Sequence, residues 1–334
     1  MVDLRHHGDQ EVGPGLVDLA VNVRGSAPPA WLQQVLVDAV PRLAAYPSPD
    51  AATTAVAARH GRRQEEVLVT AGAAEAFVLL ARALRPRRAV CAHPSFTEPE
   101  AALRAAGHDV ERVVLAPPFD DVQVPDDADL VVVGNPTNPT GVLHDLAHLC
   151  RPGRTTVVDE AFLDAVPGEP GSLAGHGDLP GLVVVRSLTK TWALAGLRVG
   201  YVLAAPATVA ALREVQPLWS VGTLSLAALE ACSAPPAVAE AAAASVLVAQ
   251  ERCRLEGLLV GLGVEVVPGS RAPFLLCRVA GRPEVRDRLR AHGVAVRRGD
   301  TFPGLGPDWF RVAVRDRSSS DRLVQALWAL LAAF

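Results

Sequence analysis

The chain has 334 residues, half of them apolar and a fifth charged, a composition that suits about two packed domains of roughly 150 residues each. Its 32 basic and 36 acidic residues leave a formal charge of −4, which excludes the basic footprint of a nucleic-acid or anionic-membrane binder. No apolar run reaches the roughly 18 residues of a membrane span. The opening MVDLRHHGDQEVGPG has no apolar stretch, so no secretory signal is expected and the cytoplasm is the expected compartment.

Residues 1–45 are Pro-rich and irregular, and read as an arm that packs on a smaller second domain. Residues 46–234 read as a large α/β domain. Apolar, β-branched runs at 67–70, 89–92, 110–115, 129–133, 155–159, 182–186 and 199–204 predict strands. Helical stretches at 73–84, 99–106, 145–150 and 207–215 alternate with them. That alternation predicts a mostly parallel sheet covered on both faces, with chemistry at the carboxyl ends of its strands. Residues 235–334 read as a small α+β domain. It opens with an Ala-rich helix at 237–259. Strands follow near 264–267, 274–279, 294–296 and 310–314, with helices near 284–291 and 320–332.

The five cysteines (Cys91, Cys150, Cys232, Cys253, Cys277) form no CxxC pair, and the nine histidines show no HExxH or HxH spacing. Reduced thiols and no metal site are expected. His6-His7 reads as a flexible polar end rather than a ligand pair.

Of the 32 basic residues other than histidine, 31 are arginine and one is lysine, at position 190. A guanidinium is not deprotonated and forms no bond with an aldehyde, whereas an ε-amine does both. Lys190 is therefore a candidate nucleophile before any motif is considered.

Four loops follow predicted strands. In Thr70-Ala-Gly-Ala-Ala-Glu-Ala76 a strand turns through Gly72 into a helix. The amides of Ala73 and Ala74 are free to bind a phosphate there, or the glycine is only a turn. Gly134-Asn-Pro-Thr-Asn-Pro-Thr-Gly141 fixes an unusual backbone and directs the Asn138 amide. Asp159-Glu160 ends a buried strand and suits either Mg²⁺ or a protonated ring nitrogen held by Asp159. Arg186-Ser-Leu-Thr-Lys190 with Arg198 supplies two hydroxyls (Ser187, Thr189) and a guanidinium for a phosphate, beside the amine. No GxxxxGK[ST] loop is present, which excludes a P-loop phosphotransferase. Together the parts ask for a ligand with a phosphate, an aldehyde, a ring nitrogen and a phenolic oxygen. Pyridoxal 5′-phosphate has all four.

With NPTNPTG, DEAF and SLTKTWALAGLRVGY in this order and spacing, the chain resembles the fold-type I pyridoxal-phosphate enzymes of the class I/II aminotransferase family. The likeness covers nearly the whole chain. It implies that Asn138 donates to the phenolic oxygen and that Asp159 pairs with the ring nitrogen. It gives Lys190 the aldehyde and the proton, and the phosphate to Ala73, Ala74, Ser187, Thr189 and Arg198. Phe96 should stack on the cofactor ring. Tyr46 should reach the cofactor phosphate of a neighbour in a homodimer, and Arg311 should grip a substrate carboxylate.

HPSFTEPE, DEAF, RRGDTFPGLG and the HHGD opening resemble two branches that act on phosphorylated substrates. These are the threonine-phosphate decarboxylases of cobalamin synthesis and the histidinol-phosphate aminotransferases. The resemblance places Asn22, Arg24, Arg297, Arg298 and His6 on the substrate side. Here HHGD replaces an HGGD-type opening, and Asn22-Val-Arg24-Gly25 replaces an N-x-N-P-type loop. Phe162 stands where many aminotransferases have a tyrosine. The expected activity is transamination of a small phosphorylated amino acid or amino alcohol. Decarboxylation is the alternative within the family, and a non-catalytic cofactor-binding module the alternative outside it.

Overall fold

A computed structural model describes residues 3–332; positions 1–2 and 333–334, the outer ends of the expected arm and small domain, lie outside the described residues. The chain opens with β1 (Val17–Leu19), α1 (Ala30–Ala39) and α2 (Asp50–His60). It then alternates through β2 (Val67–Thr70), α3 (Gly72–Ala83), β3 (Ala89–His93), α4 (Glu98–Ala105) and β4 (Val110–Val114). Four strands follow without a long helix between them: β5 (Leu130–Gly134), β6 (Thr155–Asp159), β7 (Leu182–Ser187) and β8 (Gly200–Ala204). Helices α5 (Pro206–Val215), α6 (Thr223–Ser233) and α7 (Pro235–Gly261) lead to β9 (Glu265–Val266) and β10 (Phe274–Arg278). The chain closes with α8 (Val285–Ala291), β11 (Val294–Arg298), β12 (Trp309–Ala313) and α9 (Arg317–Leu331).

Strands β2 to β8 form one seven-stranded sheet in the order β2-β8-β7-β6-β5-β3-β4. Only β8 runs against the others. Successive side chains of a strand point to opposite faces, so each apolar run feeds two cores. Val67, Val131, Val133, Val158 and Val184 pack under α1, α2 and α6, while Leu68, Val132, Val157 and Val183 pack under α3 and α5. Both faces are thereby covered, as an all-apolar parallel strand requires. A second sheet, β1-β11-β12-β10-β9, carries α8 and α9 over its own core.

The arm is divided between the two sheets. β1 pairs in parallel with β11, Asp18 opposite Ala295, whereas Leu32 of α1 is buried in the core of the large sheet. Residues 1–45 are thus less irregular than their prolines suggest, because Pro28-Pro29 precede α1 and do not interrupt it. The helix expected at 145–150 is a single 3₁₀ turn, Ala147–Leu149. Pro152 disfavours the helical region for Arg151 and so ends the segment early. Helices α2 and α6 were not among the expected elements, although α6 is rich in Ala and Leu. In α2 the β-branched Thr53, Thr54 and Val56 carry low helix propensity, and only Ala52, Val56 and Ala57 are buried.

Among the described residues no single helix is long and apolar enough to cross a membrane.

Candidate active site

The carboxyl edge of the seven-stranded sheet opens on a cavity of about 510 Å³ that also meets β11 and β12. Its floor comes from the loop after β7. The Ser187 and Thr189 hydroxyls lie 2.7 Å apart, and the Thr189 N–H donates to Ser187 Oγ at 3.3 Å. Across the cavity α3 begins at Gly72, whose φ is +77°. A Cβ at Gly72 would lie 2.7 Å from Arg198 Nη2, so glycine lets the guanidinium approach the first turn of the helix. The opening N–H groups of a helix have no partner within it. Two hydroxyls, a helix N-terminus and a guanidinium converge here, which suits a phosphate.

Asp159 ends β6 on the same cavity. Its Oδ1 accepts from the Ala161 N–H at 3.0 Å and makes no other hydrogen bond or ion pair among the described residues. Withdrawal from water, chiefly, pushes its carboxyl up to about 6. A cationic N–H is the partner that this carboxylate lacks. Lys190 Nζ lies 5.9 Å from the centre of the Phe162 ring. Burial, with the charges of Arg311 and Arg198, pushes its ammonium down to about 8. Such an amine is largely neutral at mildly alkaline pH, ready to bond a carbonyl. Phe96, in the loop between β3 and α4, and Phe162 give the cavity its aromatic walls.

The substrate side is built by the second sheet. Arg311 on β12 stands opposite Arg297 on β11. Arg311 Nη1 donates to Asn138 Oδ1 at 2.5 Å and Nη2 to the Ala20 carbonyl, and the Asn22 amide, once turned so that its oxygen faces Arg311, accepts from Nε at 3.2 Å. Burial and the charge of Arg297 lower the Arg311 guanidinium to about 9. Arg297 is buried as well, its guanidinium 4.8 Å from the Phe302 ring centre and lowered to about 10, mainly by burial.

Twelve of the sixteen residues singled out in the sequence line this cavity. Four do not. Arg298, one position along β11, points the other way and pairs with Asp300. The His6 ring turns to Glu11 at 2.9 Å, and the neighbouring His7 lines the cavity instead. Arg24 lies 5.7 Å over Trp192, and its N–H donates to the Lys190 carbonyl at 2.8 Å. It therefore bears on Lys190 through the main chain. Tyr46 is 77% exposed and stacks on Trp219 with ring centres 4.2 Å apart. Sequence reasoning passed over Asp9, Glu98 and Phe302 on the cavity wall.

The family model of class I and II aminotransferases matches residues 14–327. The chain belongs to that family. This aminotransferase is 54% identical over 319 residues to a histidinol-phosphate aminotransferase of Mycobacterium tuberculosis, covering 93% of this chain and 87% of that one. It is 30% identical over 331 residues to the threonine-phosphate decarboxylase of Salmonella typhimurium, covering 93% and 90%. The solved structure of the histidinol-phosphate aminotransferase from Clostridium acetobutylicum has the same fold, with a TM-score of 0.85, 22% identity, and 95% and 99% of the two chains covered. The fold is that of the fold-type I enzymes, and the cofactor is pyridoxal 5′-phosphate. When bound, it supplies an aldehyde for the substrate amine and a ring that takes up the electrons released at Cα.

The lowered ammonium of Lys190 has a measurable consequence. Only a neutral amine attacks an aldehyde, so uptake of pyridoxal phosphate by the cofactor-free aminotransferase should accelerate as pH rises and level off above about 8. Stopped-flow absorbance measures this rate. A rate still climbing near pH 10 would mean an amine in ordinary aqueous surroundings.

Proposed function

We propose that this aminotransferase moves the amino group of a phosphorylated amino alcohol of the histidinol-phosphate class. The observation that carries the reading is the pair Arg297 and Arg311, side by side on adjacent strands and both buried. Arg311 has no carboxylate within ion-pair distance among the described residues, and Arg297 only Glu11 at 3.9 Å. Two adjacent guanidiniums with little compensation call for an anion of more than one charge, and their forked donors suit phosphate. Arg298, Arg24 and His6 no longer contribute to this reading. The 54% identity to a histidinol-phosphate aminotransferase, against 30% to a decarboxylase, supports amino transfer.

In this reading Ala73, Ala74, Ser187, Thr189 and Arg198 hold the cofactor phosphate, and Phe96 covers the ring. Asn138 donates to the phenolic oxygen through Nδ2, because its Oδ1 is already engaged by Arg311. Lys190 would hold the cofactor through its aldehyde until a substrate amine takes its place. Its freed Nζ then moves the Cα proton, with an affinity close to working pH. Asp159 holds the ring nitrogen protonated. Phe162 offers no hydroxyl to the phenolic oxygen, which leaves Asn138 as the donor there.

The test is kcat/KM for histidinol phosphate against histidinol. Losing a charge-assisted contact of about 1.5–3 kcal/mol should lower it about ten- to a hundredfold. Equal values would return the enzyme to the general aminotransferases. Release of CO₂ from threonine phosphate would favour the decarboxylase alternative.

We also infer a homodimer, in which Tyr46 completes the partner's site. Exposed Leu43, Tyr46, Leu218 and Trp219 support it. Sedimentation should give twice the 35.0 kDa chain mass; a monomer at micromolar concentration would contradict it.

A further inference from the structure

Arg315 lies just past the end of β12, beyond Arg311 on the same stretch of chain, and does not line the cavity. Its side chain is 14% exposed and reaches across to the segment that follows β1. The pairing of β1 with β11 ends at Leu19, so the carbonyls beyond it need other donors. Arg315 supplies them. Its Nε donates to the Asp18 carbonyl at 3.3 Å, Nη2 to the Val21 carbonyl at 2.8 Å, and Nη1 to the Val23 carbonyl. Nη2 also pairs with the Asp18 carboxylate at 3.2 Å. Asp18 Oδ1 in turn accepts from the N–H groups of Ala20 and Val21 at 2.9 and 3.0 Å. One guanidinium and one carboxylate thus fix the course of residues 18–23.

That segment carries the partners of Arg311. The Ala20 carbonyl accepts from Arg311 Nη2, and the Asn22 amide faces Nε and Nη1. Arg311 is buried, and its fork is aimed by these neutral groups together with Asn138. A guanidinium presents its N–H donors in one rigid plane, so a displaced acceptor turns the whole fork. A lysine at position 315 would keep the charge. Its single nitrogen, however, cannot span carbonyls spread from Asp18 to Val23.

We propose that Arg315, clamped to Asp18, is a positioning residue: it holds residues 20–22 in the course that aims the Arg311 guanidinium at the anion of the substrate. The proposal rests on the reading that Arg297 and Arg311 hold that anion. Its effect falls on the anionic substrate, because a misaimed fork grips a phosphate less well. An alcohol in the same place offers the fork no charge and loses little. The cofactor cradle of Ser187, Thr189 and Arg198 lies outside this clamp.

The experiment follows the half-reaction of the holoenzyme with histidinol phosphate and with histidinol by stopped-flow absorbance. It yields a limiting rate per cofactor-loaded site and a half-saturating concentration for the wild type, Arg315→Lys, Arg311→Lys and the double variant. In Arg315→Lys half-saturation by histidinol phosphate should need about tenfold more substrate, with the limiting rate and both histidinol values within about twofold of wild type. The double variant should be no worse than Arg311→Lys alone, since a residue that acts through another adds nothing once that other is gone. Asp18→Asn removes one arm of the clamp and keeps an acceptor for the Ala20 and Val21 N–H groups. It should raise the same concentration about threefold, and it serves where Arg315→Lys does not fold. A lowered melting temperature or limiting rate with half-saturation unchanged overturns the proposal and leaves Arg315 a merely structural residue. An equal rise for both compounds, or full additivity in the double variant, overturns it as well. Wild-type enzyme that handles the two compounds alike overturns the anion reading itself, before any variant is made, and the proposal with it.

Discussion

Lys190→Ala is expected to abolish turnover, lowering kcat by at least about 10⁴-fold, the combined loss of a covalent anchor and of a positioned proton carrier. No other lysine is present to take over. The nearby cations Arg198 and Arg311 cannot substitute, because a guanidinium neither bonds an aldehyde nor releases a proton near neutral pH. The variant should still bind pyridoxal phosphate through the Ser187, Thr189 and Arg198 cradle, though without the yellow colour of the covalently held form. Absorbance spectra and single-turnover assays with a substrate amine check both statements. A variant that keeps more than about one per cent of wild-type kcat would place the chemistry elsewhere.

Asp159→Ala should lower kcat by about 10²- to 10³-fold, the usual cost of removing one preorganised charge from a reacting centre. Cofactor binding should suffer less, since the phosphate cradle is untouched. The cofactor-free variant should melt no lower than the wild type. The Asp159 carboxyl is raised to about 6 in the fold, above its ordinary value near 4. Its contribution to stability is therefore present below about pH 4 and lost as pH rises through 6, so at neutral pH the ionised group is a liability that alanine removes. A merely structural carboxylate would show the reverse, a lowered melting temperature with near-normal kcat.

The core of this site was legible because its chemistry left few alternatives. A chain that writes every other cation as arginine marks Lys190 at once. Apolar runs ending in Asp159 and Ser187 put those side chains at the carboxyl edge of a parallel sheet, where the cavity lies. The substrate side was harder. Arg297 and Arg298 are neighbours in sequence, but strand alternation sends one into the cavity and the other to Asp300. The end of β11 within Arg-Arg-Gly-Asp had no sequence signal to fix that parity. His6 and His7 present the same ambiguity, settled in the fold by Glu11 and Glu98.

The most direct test of the account is borohydride reduction of the purified holoenzyme followed by peptide mass mapping. A single phosphopyridoxyl group on the peptide that contains Lys190 is the result expected. An unmodified Lys190 peptide, whether the label is absent or found elsewhere on the chain, would contradict it.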